Sequence, residues 1–152
     1  MKKEELTNLF MAFIEERFPG LLEEEKDVFN VGDLYYYILT NGEIGSNYWK
    51  DRLLDSKRLS IGNAFKTEKE AEFMVEKLKV LHEMRELGRP YRFGTENHFI
   101  ALYRGVSITI DTDYSYQSCY FGVYFDTSEE AQKAIDKIGE ERIKKYLFGV
   151  ED

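Results

Sequence analysis

The chain opens with apolar residues that are spaced as on one side of a helix. These residues are Leu6, Leu9, Phe10, Phe13 and Ile14. They recur every three or four positions, as a period of 3.6 residues per turn requires. Pro19-Gly20 ends such a helix, and the acidic run Glu23–Glu25 after it predicts a solvated linker. Residues 1–30 are therefore expected to form an N-terminal helix and a linker.

The next segment changes to the pattern of a β-hairpin. Leu34–Leu39 is rich in tyrosine and other β-forming residues. Asn41-Gly42 supplies turn residues that accept a positive φ, as two-residue hairpin loops prefer. After a polar loop at residues 51–57, Arg58–Phe65 is expected to add a third strand.

A helix is expected directly after this third strand. Thr67 is a good N-cap, and Glu70 three residues later completes the pattern of a capping box. The helix should run to about Leu87, just before Gly88. Its apolar stripe consists of Ala71, Val75, Leu78 and His82. Residues 31–88 thus form one predicted β-β-β-α unit.

The same order of patterns returns in residues 96–152. Two strands are expected around Arg104-Gly105, and the second of them alternates apolar and polar residues. The stretch "CYFGVYF", residues 119–125, predicts a third strand. Thr127 caps the next helix, which is expected to break near Gly139 and to resume as "EERIKKYLF".

One short sequence motif occurs twice, each time where a predicted strand is followed by a predicted helix. It reads "FKTEKEAEF" from Phe65 and "FDTSEEAQK" from Phe125. Five residue types recur there at the same spacing. They are Gly62, Phe65, Thr67, Glu70 and Ala71 in the first copy and Gly122, Phe125, Thr127, Glu130 and Ala131 in the second. The sequence therefore predicts an α+β fold, with an N-terminal helix followed by two β-β-β-α repeats. Antiparallel sheets with helices packed on one face are expected, in one compact domain.

Composition places the chain among globular proteins with a core. It has 152 residues, of which 43% are hydrophobic and 15% aromatic. Its longest apolar runs fall far short of the about 20 residues that a membrane helix needs, and its start, "MKKEE", is not that of a signal peptide. The single cysteine, Cys119, excludes an intramolecular disulfide and fits a reducing compartment. We expect a cytoplasmic protein.

The net charge of −8 bears on the class of partner. It disfavours a general nucleic-acid-binding protein, because neutralisation of phosphates dominates nonspecific affinity for nucleic acid. It suits a partner with a basic surface, although solubility alone also accounts for an acidic composition.

The sequence contains no motif for a serine nucleophile elbow, a P-loop, a zinc protease or a dinucleotide site. Cys119 lies on a predicted strand with apolar neighbours on its face, as a buried and inert cysteine does. His82 and His98 belong to different elements, which is not a metal-ligand spacing. Asp111-x-Asp113 does not continue into a calcium loop. We expect no enzymatic activity, no cofactor and no metal.

Tyrosine is the unusual feature, with eleven in the chain. If helices cover one face of the sheet, Tyr35 and Tyr37 come to lie on the other face. Exposed Tyr and Trp are typical of protein interfaces, they also stack on nucleic-acid bases, and tyrosine packs well within strands. The sequence leaves these three possibilities open. The candidate partner-binding residues are Tyr35, Tyr37, Tyr48, Trp49, Asp51, Asp55, Asp111, Asp113, Tyr114 and Tyr116.

The pattern "GDLYYYI…GEI…YW…D…R…GNAFKTEKEAEFMVEKLKVL", with the closing "AIDKIGEERIKKYLFGV", resembles small phage and prophage accessory proteins of Gram-positive bacteria. The resemblance covers roughly residues 31–82 and 119–150. It implies a phage-encoded, non-enzymatic protein that inhibits or modulates a host protein by steric occupation, as anti-CRISPR and other anti-defence inhibitors do. The implied partner is a host protein such as a CRISPR-Cas nuclease, in the host bacterial cytoplasm. The alternative is a single-stranded nucleic-acid-binding module for phage replication or recombination.

Overall fold

The computed structural model describes residues 29–112, 119 and 121–150. The predicted N-terminal helix, within residues 1–28, lies outside the described residues. In chain order the elements are β1 (Leu34–Ile38), β2 (Ile44–Tyr48), α1 (Leu53–Ser60), α2 (Glu68–Leu87), β3 (His98–Tyr103), β4 (Ser107–Thr112), α3 (Ser128–Ile138) and α4 (Glu140–Phe148). The strands form two antiparallel hairpins, β1 with β2 and β3 with β4. The predicted α+β class is confirmed.

The first predicted hairpin is confirmed, with a longer loop than expected. Its register places Leu34 opposite Tyr48. The Leu39 N–H donates to the carbonyl of Glu43 at 2.8 Å, which leaves three residues in the loop rather than two. Gly42, the last of the three, has a φ of +84°. A turn that ends in such a glycine matches the right-handed twist of the two strands.

The second predicted hairpin is confirmed as well. β3 and β4 pair along their whole length, from His98 opposite Thr112 to Tyr103 opposite Ser107. The turn falls at Arg104-Gly105 as predicted, and both residues have a positive φ, 51° and 74°.

The predicted third strand of the first unit, Arg58–Phe65, is wrong, because α1 takes up its first residues. The carboxylate of Asp55 accepts the N–H of Arg52 at 3.1 Å, which satisfies a free donor at the start of α1. An acidic residue in the first turn and two basic residues in the last also favour the helix dipole. These local interactions outweigh the β-forming tendency of the segment.

The predicted third strand of the second unit is also wrong for the residues that are described. Gly122 has a φ of +69°, which interrupts an extended backbone. After it, Tyr124 and Phe125 make only isolated antiparallel bridges, with Arg89 and His98 respectively.

The repeated motif has similar backbone geometry in both copies. Gly62 has a φ of +72° and Gly122 one of +69°. Three residues later, Phe65 makes one antiparallel bridge to β1, and Phe125 makes one to β3. Each predicted third strand is thus reduced to a single bridge with the first strand of its own hairpin.

The predicted helix caps are confirmed. The Thr67 hydroxyl accepts the N–H of Glu70 at 3.2 Å, and the Glu70 carboxylate accepts the N–H of Thr67 at 3.1 Å, so the capping box is closed. The Thr127 hydroxyl accepts the N–H of Glu130 at 3.2 Å. The predicted break near Gly139 is also confirmed, since α3 ends at the residue before it and α4 begins at the residue after it.

α2 turns a different side to the core from the predicted stripe. Ala71 is buried as expected, but Leu78 and His82 are exposed. Val80 and Met84 are buried instead. α3 and α4 both pack along α2 and determine which side is covered, and neither neighbour can be identified from the pattern of α2 alone.

Three clusters of buried residues lie in the described part of the chain. The largest joins α2 and β3 to α3 and α4, and its residues are Val80, Met84, Ile100, Val123, Phe125, Ala131, Ala134, Ile135, Ile138, Ile143 and Leu147. A second lies beside the first hairpin and consists of Phe29, Tyr35 and Trp49. A third, beside the second hairpin, consists of Phe99, Cys119 and Tyr124.

Helices lie on both faces of the first hairpin, not on one face as predicted. The Tyr35 side of β1 contacts α1 through a hydrogen bond with Asp55. Side chains alternate along a strand, so Ile38 and its partner Ile44 belong to the opposite face. There Ile44 lines a groove together with Phe73 of α2.

The two caps generate a matched prediction. Thr67→Ala and Thr127→Ala each remove the acceptor of one helix N–H, and each should lower the free energy of unfolding by about 1 kcal/mol. Urea denaturation measures this difference. Thr40→Ala, at an exposed position in the loop of the first hairpin, is the control and should change little. A neutral result at either cap would contradict its stabilising role.

Candidate functional site

Three aromatic side chains form the interior of the first unit. Phe29 stacks on Trp49 with ring centroids 5.0 Å apart, and Tyr35 meets the Trp49 ring edge-on at 5.5 Å. All three residues are buried. Two of the predicted partner-binding residues, Tyr35 and Trp49, are therefore core residues.

A polar network connects this aromatic cluster to α1. The Tyr35 hydroxyl donates to Asp55 Oδ1 at 2.7 Å and accepts from Arg58 Nη1 at 2.7 Å. The other oxygen of Asp55 accepts the N–H groups of Lys50 and Arg52, both at 3.1 Å. Asp55 is only 3% exposed, and these hydrogen bonds replace the water that its carboxylate loses on burial. The network holds the start of α1 against β1.

The network strengthens the charge state that both acidic groups already have at neutral pH. The hydrogen bond from Tyr35 holds the pKa of the Asp55 carboxyl below its usual value, and the N–H groups of Arg52 and Lys50 act in the same direction. Burial raises the pKa of the Tyr35 hydroxyl, and its hydrogen bond with Asp55 raises it further. At neutral pH the carboxyl is thus ionised and the hydroxyl is protonated.

Tyr37 extends the same contact along β1. A Cβ atom at Gly45, the residue opposite, would lie 2.8 Å from Cζ of Tyr37, so the ring occupies the space that this glycine leaves open. The guanidinium carbon of Arg58 lies 3.4 Å from the centroid of the Tyr37 ring, a cation–π contact. Arg58 is thereby fixed to two tyrosines of β1 at once.

Three predicted partner-binding residues are not accessible in this structure, namely Tyr35, Trp49 and Asp55. The prediction assumed that the face of the first hairpin opposite the helices is free, but α1 covers it. A partner therefore cannot reach these three side chains while α1 is in place.

The other predicted residues do not form one site. Tyr48 is 58% exposed, and Asp51 is exposed with a φ of +53°, which is uncommon for a residue with a side chain. Asp111 is half-buried on β4. Asp113, Tyr114 and Tyr116 lie outside the described residues. For Tyr37, Tyr48, Asp51 and Asp111 the contact with a partner stays a prediction.

Exposed apolar side chains surround the end of the first hairpin. We name this set the hairpin-end surface, and it consists of Val31, Leu34, Tyr48, Leu53 and Leu54. Leu34 lies opposite Tyr48 in the hairpin, and the Gly32 N–H donates to the Trp49 carbonyl at 2.9 Å, which places Val31 beside this pair. The two leucines begin α1, which the carboxylate network holds at the same end of the hairpin.

A second exposed feature lies between α2 and β3. We name residues 90–96 the anchor loop. Phe93 near its middle is 95% exposed, more than any other large apolar residue described. Tyr91 is partly exposed and meets the edge of the buried Tyr124 ring at 5.4 Å. The anchor loop thus carries one aromatic ring packed against the body and one directed into solvent.

Asn97 fixes the shape of the anchor loop from inside. Its side chain is fully buried. Its Oδ1 accepts from Arg89 Nη1 at 2.6 Å and from the Arg92 N–H at 3.1 Å. Its Nδ2 donates to the carbonyls of Arg92 and Thr95 at 2.8 and 2.9 Å. The backbone is therefore held on both sides of Phe93.

Arg89 closes the base of the anchor loop. Its Nε donates to Asp126 Oδ1 at 2.6 Å, and its side chain is only 9% exposed. The guanidinium of Arg92 lies 3.7 Å from the same carboxylate oxygen. Two arginines therefore share one aspartate, and Glu96 at the end of the loop supplies a second negative charge, so the loop has little net charge.

The sequence patterns do not single out the anchor loop, because it falls between the two predicted units and serves only as the connection between them. The available signal is the alternation of arginine and aromatic residues in "RPYRFG". Nothing local shows that Asn97 is buried or that Phe93 is exposed. Arg89, which bonds Asn97, is itself held by Asp126, 37 positions away in the chain.

Tyr35→Phe tests the polar network. The change removes the donor to Asp55 and an acceptor of Arg58 without changing the ring. It should lower the free energy of unfolding by about 1–3 kcal/mol, because both groups lose a partner. Tyr48→Phe, at an exposed ring, is the matched control and should stay within about 0.5 kcal/mol of the wild type. Equal effects of the two changes would contradict the network.

The lowered pKa of the Asp55 carboxyl predicts a pH dependence. The carboxylate contributes stability above its unfolded-state pKa of about 3.9, and this contribution is lost as the pH falls through the lower folded-state pKa. The difference in unfolding free energy between the wild type and Tyr35→Phe should therefore be largest near pH 7 and should shrink as the pH falls below about 4. Chemical denaturation at a series of pH values measures it, and a constant difference would contradict the shift.

Two further features are absent from the part of the chain that the structure describes. Residues 29–112, 119 and 121–150 contain no group of three or more His, Cys, Asp or Glu side chains placed to hold a metal ion. Among the described helices none has the length and apolar character needed to cross a membrane. Comparisons of the chain with protein-family models, with curated proteins and with solved structures found no match.

Proposed function

We propose that this chain is a non-enzymatic, phage-encoded interaction protein that inhibits or modulates a host protein by steric occupation. The anchor loop supplies the main contact, and Phe93 enters an apolar pocket of the partner. The proposed place of action is the host bacterial cytoplasm, and a CRISPR-Cas nuclease is the first partner to test.

The observation that carries this proposal is the exposure of Phe93 on a fixed loop. A phenylalanine left in water forgoes about 1.5–3 kcal/mol that its burial would contribute. Binding a partner recovers that contribution. The hydrogen bonds of Asn97 already hold the backbone, so little conformational entropy is lost when the ring is buried. Aromatic anchors of this kind account for a large share of the binding energy at protein interfaces.

The charge of the loop favours a protein over nucleic acid as the partner. Stacking on bases usually accompanies basic side chains that contact phosphates. Arg89 and Arg92 instead lie against the carboxylate of Asp126, and the whole chain has a net charge of −8. Single-stranded nucleic acid remains the alternative, since Tyr91 and Phe93 are aromatic and partly or fully exposed.

The phage origin and the host target rest on the sequence resemblance alone, over roughly residues 31–82 and 119–150. The anchor loop lies outside both stretches. The assignment to a host defence protein is therefore tested separately from the role of Phe93.

Phe93→Ala should abolish or strongly weaken partner binding and leave the fold intact. The expected loss is about 2 kcal/mol of binding free energy, roughly thirtyfold in Kd, as for other aromatic anchors. Because the ring touches little of the body, the free energy of unfolding should change by less than about 0.5 kcal/mol. Val106→Ala, at an exposed apolar position in the turn of the second hairpin, is the matched control and should retain binding.

The measurement has two stages. The tagged wild type is incubated with nuclease-treated lysate of a CRISPR-bearing Gram-positive bacterium, and a stoichiometric partner is identified by mass spectrometry and purified. The Kd of the wild type and of both variants is then measured with the purified partner. A partner that binds Phe93→Ala as tightly as the wild type contradicts the anchor role. Absence of any protein partner, together with salt-dependent binding of single-stranded oligonucleotides, favours the alternative.

A further inference from the structure

An open groove lies between the first hairpin, α2 and α4. Its volume is about 690 Å³, within the range of about 300–1,000 Å³ that is usual for ligand sites. Its apolar lining comes from Ile44 of β2, Phe73 and Val75 of α2 and Tyr146 of α4. The ring centroids of Phe73 and Tyr146 lie 5.2 Å apart, and both residues are half-buried. We name this feature the aromatic groove.

The two helices that line the aromatic groove are held in fixed positions. The Arg142 guanidinium of α4 donates to Glu83 of α2 at 3.0 Å and lies 3.9 Å from Glu76. The capping box of Thr67 and Glu70 fixes the start of α2. The groove is therefore formed before a ligand binds, so that binding costs little conformational entropy.

Carboxylates outnumber ammonium groups in the aromatic groove. The lining contains four glutamates and two lysines, Lys69 and Lys145. Three of the glutamates, Glu68, Glu72 and Glu76, follow one another at intervals of four residues on α2. They form one row, with about 6 Å of helix axis between neighbours. The charge and the aromatic lining together favour a cationic ligand.

Two carboxylates of the row have no partner in the part of the chain that the structure describes. Glu76 accepts from Lys79 at 2.7 Å, whereas Glu68 and Glu72 form no hydrogen bond or ion pair with any described residue. Like charges four residues apart on a helix repel each other. A bound cation would relieve this repulsion.

The second copy of the repeated motif shows that the fold does not need the acidic row. Sixty positions later, α3 has Ser128 and Gln132 in place of the two glutamates without a partner, and Thr127 caps this helix as Thr67 caps α2. Gln132 there donates to Asp136 at 2.9 Å, so the two residues attract each other. The row is thus a property of the first copy, which indicates a role other than folding.

We propose that the aromatic groove binds an extended peptide segment with the pattern Arg-x-Arg, from a partner with a basic surface. Alternate side chains of an extended segment lie on the same side, about 6.6–6.8 Å apart, close to the distance of about 6 Å between Glu68 and Glu72 along α2. One guanidinium pairs with each carboxylate, and Phe73 and Tyr146 provide ring faces for cation–π contacts. Arginine suits both contacts better than lysine, because its planar guanidinium binds carboxylates through two hydrogen bonds and stacks on rings.

The inference goes beyond the proposed function and does not rest on it. The residues that line the aromatic groove do not include the anchor loop. The groove is tested with peptides alone, in the absence of any host protein. Failure of one proposal therefore leaves the other in place.

Two short peptides test the spacing. The probe is acetyl-Gly-Arg-Ala-Arg-Gly-amide. The control, acetyl-Gly-Arg-Arg-Ala-Gly-amide, has the same composition and charge but directs its two arginines to opposite sides when extended. NMR titration of the isotope-labelled full chain measures both affinities. We expect the probe to bind at least about threefold more tightly than the control, with chemical-shift changes centred on Phe73 and Tyr146.

One glutamate substitution tests the acidic row. Glu72→Gln introduces the residue of the second copy and should weaken binding of the probe by about threefold to fivefold. It should not lower the Tm, because it removes a like-charge repulsion. Glu86→Gln makes the same change at an exposed glutamate near the other end of α2, outside the groove. This control should bind the probe as the wild type does.

Three outcomes would overturn the proposal. The first is equal affinity for the two peptides, or equal effects of Glu72→Gln and Glu86→Gln. The second is tighter binding of a peptide with glutamate in place of arginine, which would indicate an anion site. The third is a dimer that Glu72→Gln dissociates, which would mean that a second copy of the chain occupies the groove.

Discussion

A hairpin of two strands is not stable alone in water, and the fold of this chain depends on how each hairpin is supported. The support is the same in both units. Phe65 adds one antiparallel bridge to β1, and Phe125 adds one to β3. A threonine two residues further on caps the helix that packs beside the hairpin. In the first unit, this bridge and the helix cap next to it determine the position of α2, and with it the position of the largest core around Val80 and Met84.

Two buried polar side chains fix segments that the backbone hydrogen bonds of the helices and strands do not hold in place. Asp55 joins Tyr35 of β1 to the start of α1, and Asn97 joins the two sides of the anchor loop to Arg89. A buried polar group that has all its hydrogen bonds fixes its surroundings, because any rearrangement leaves it unpaired. The first of these networks removes Tyr35 from the surface, and the second presents Phe93 to the solvent.

Local signals in the sequence predict local structure correctly. The caps at Thr67 and Thr127, the turn at Arg104-Gly105 and the break at Gly139 each depend on residues within one turn of the chain. The third strand at Arg58–Phe65 fails because the carboxylate of Asp55 starts a helix there and Tyr35, 20 positions away, holds it. The site is predicted poorly for the same reason. Exposure of a tyrosine or a phenylalanine depends on which distant element covers it, and the sequence of a single strand or loop does not contain that information.

The proposal that a host protein buries Phe93 can be tested directly in cells. The most direct measurement places the photo-crosslinking residue p-benzoylphenylalanine at position 93, and at position 106, which is also exposed, as a control, in living cells of a CRISPR-bearing Gram-positive host. We predict one discrete protein adduct from position 93 and none from position 106. No protein adduct from position 93, or the same adducts from both positions, would contradict it.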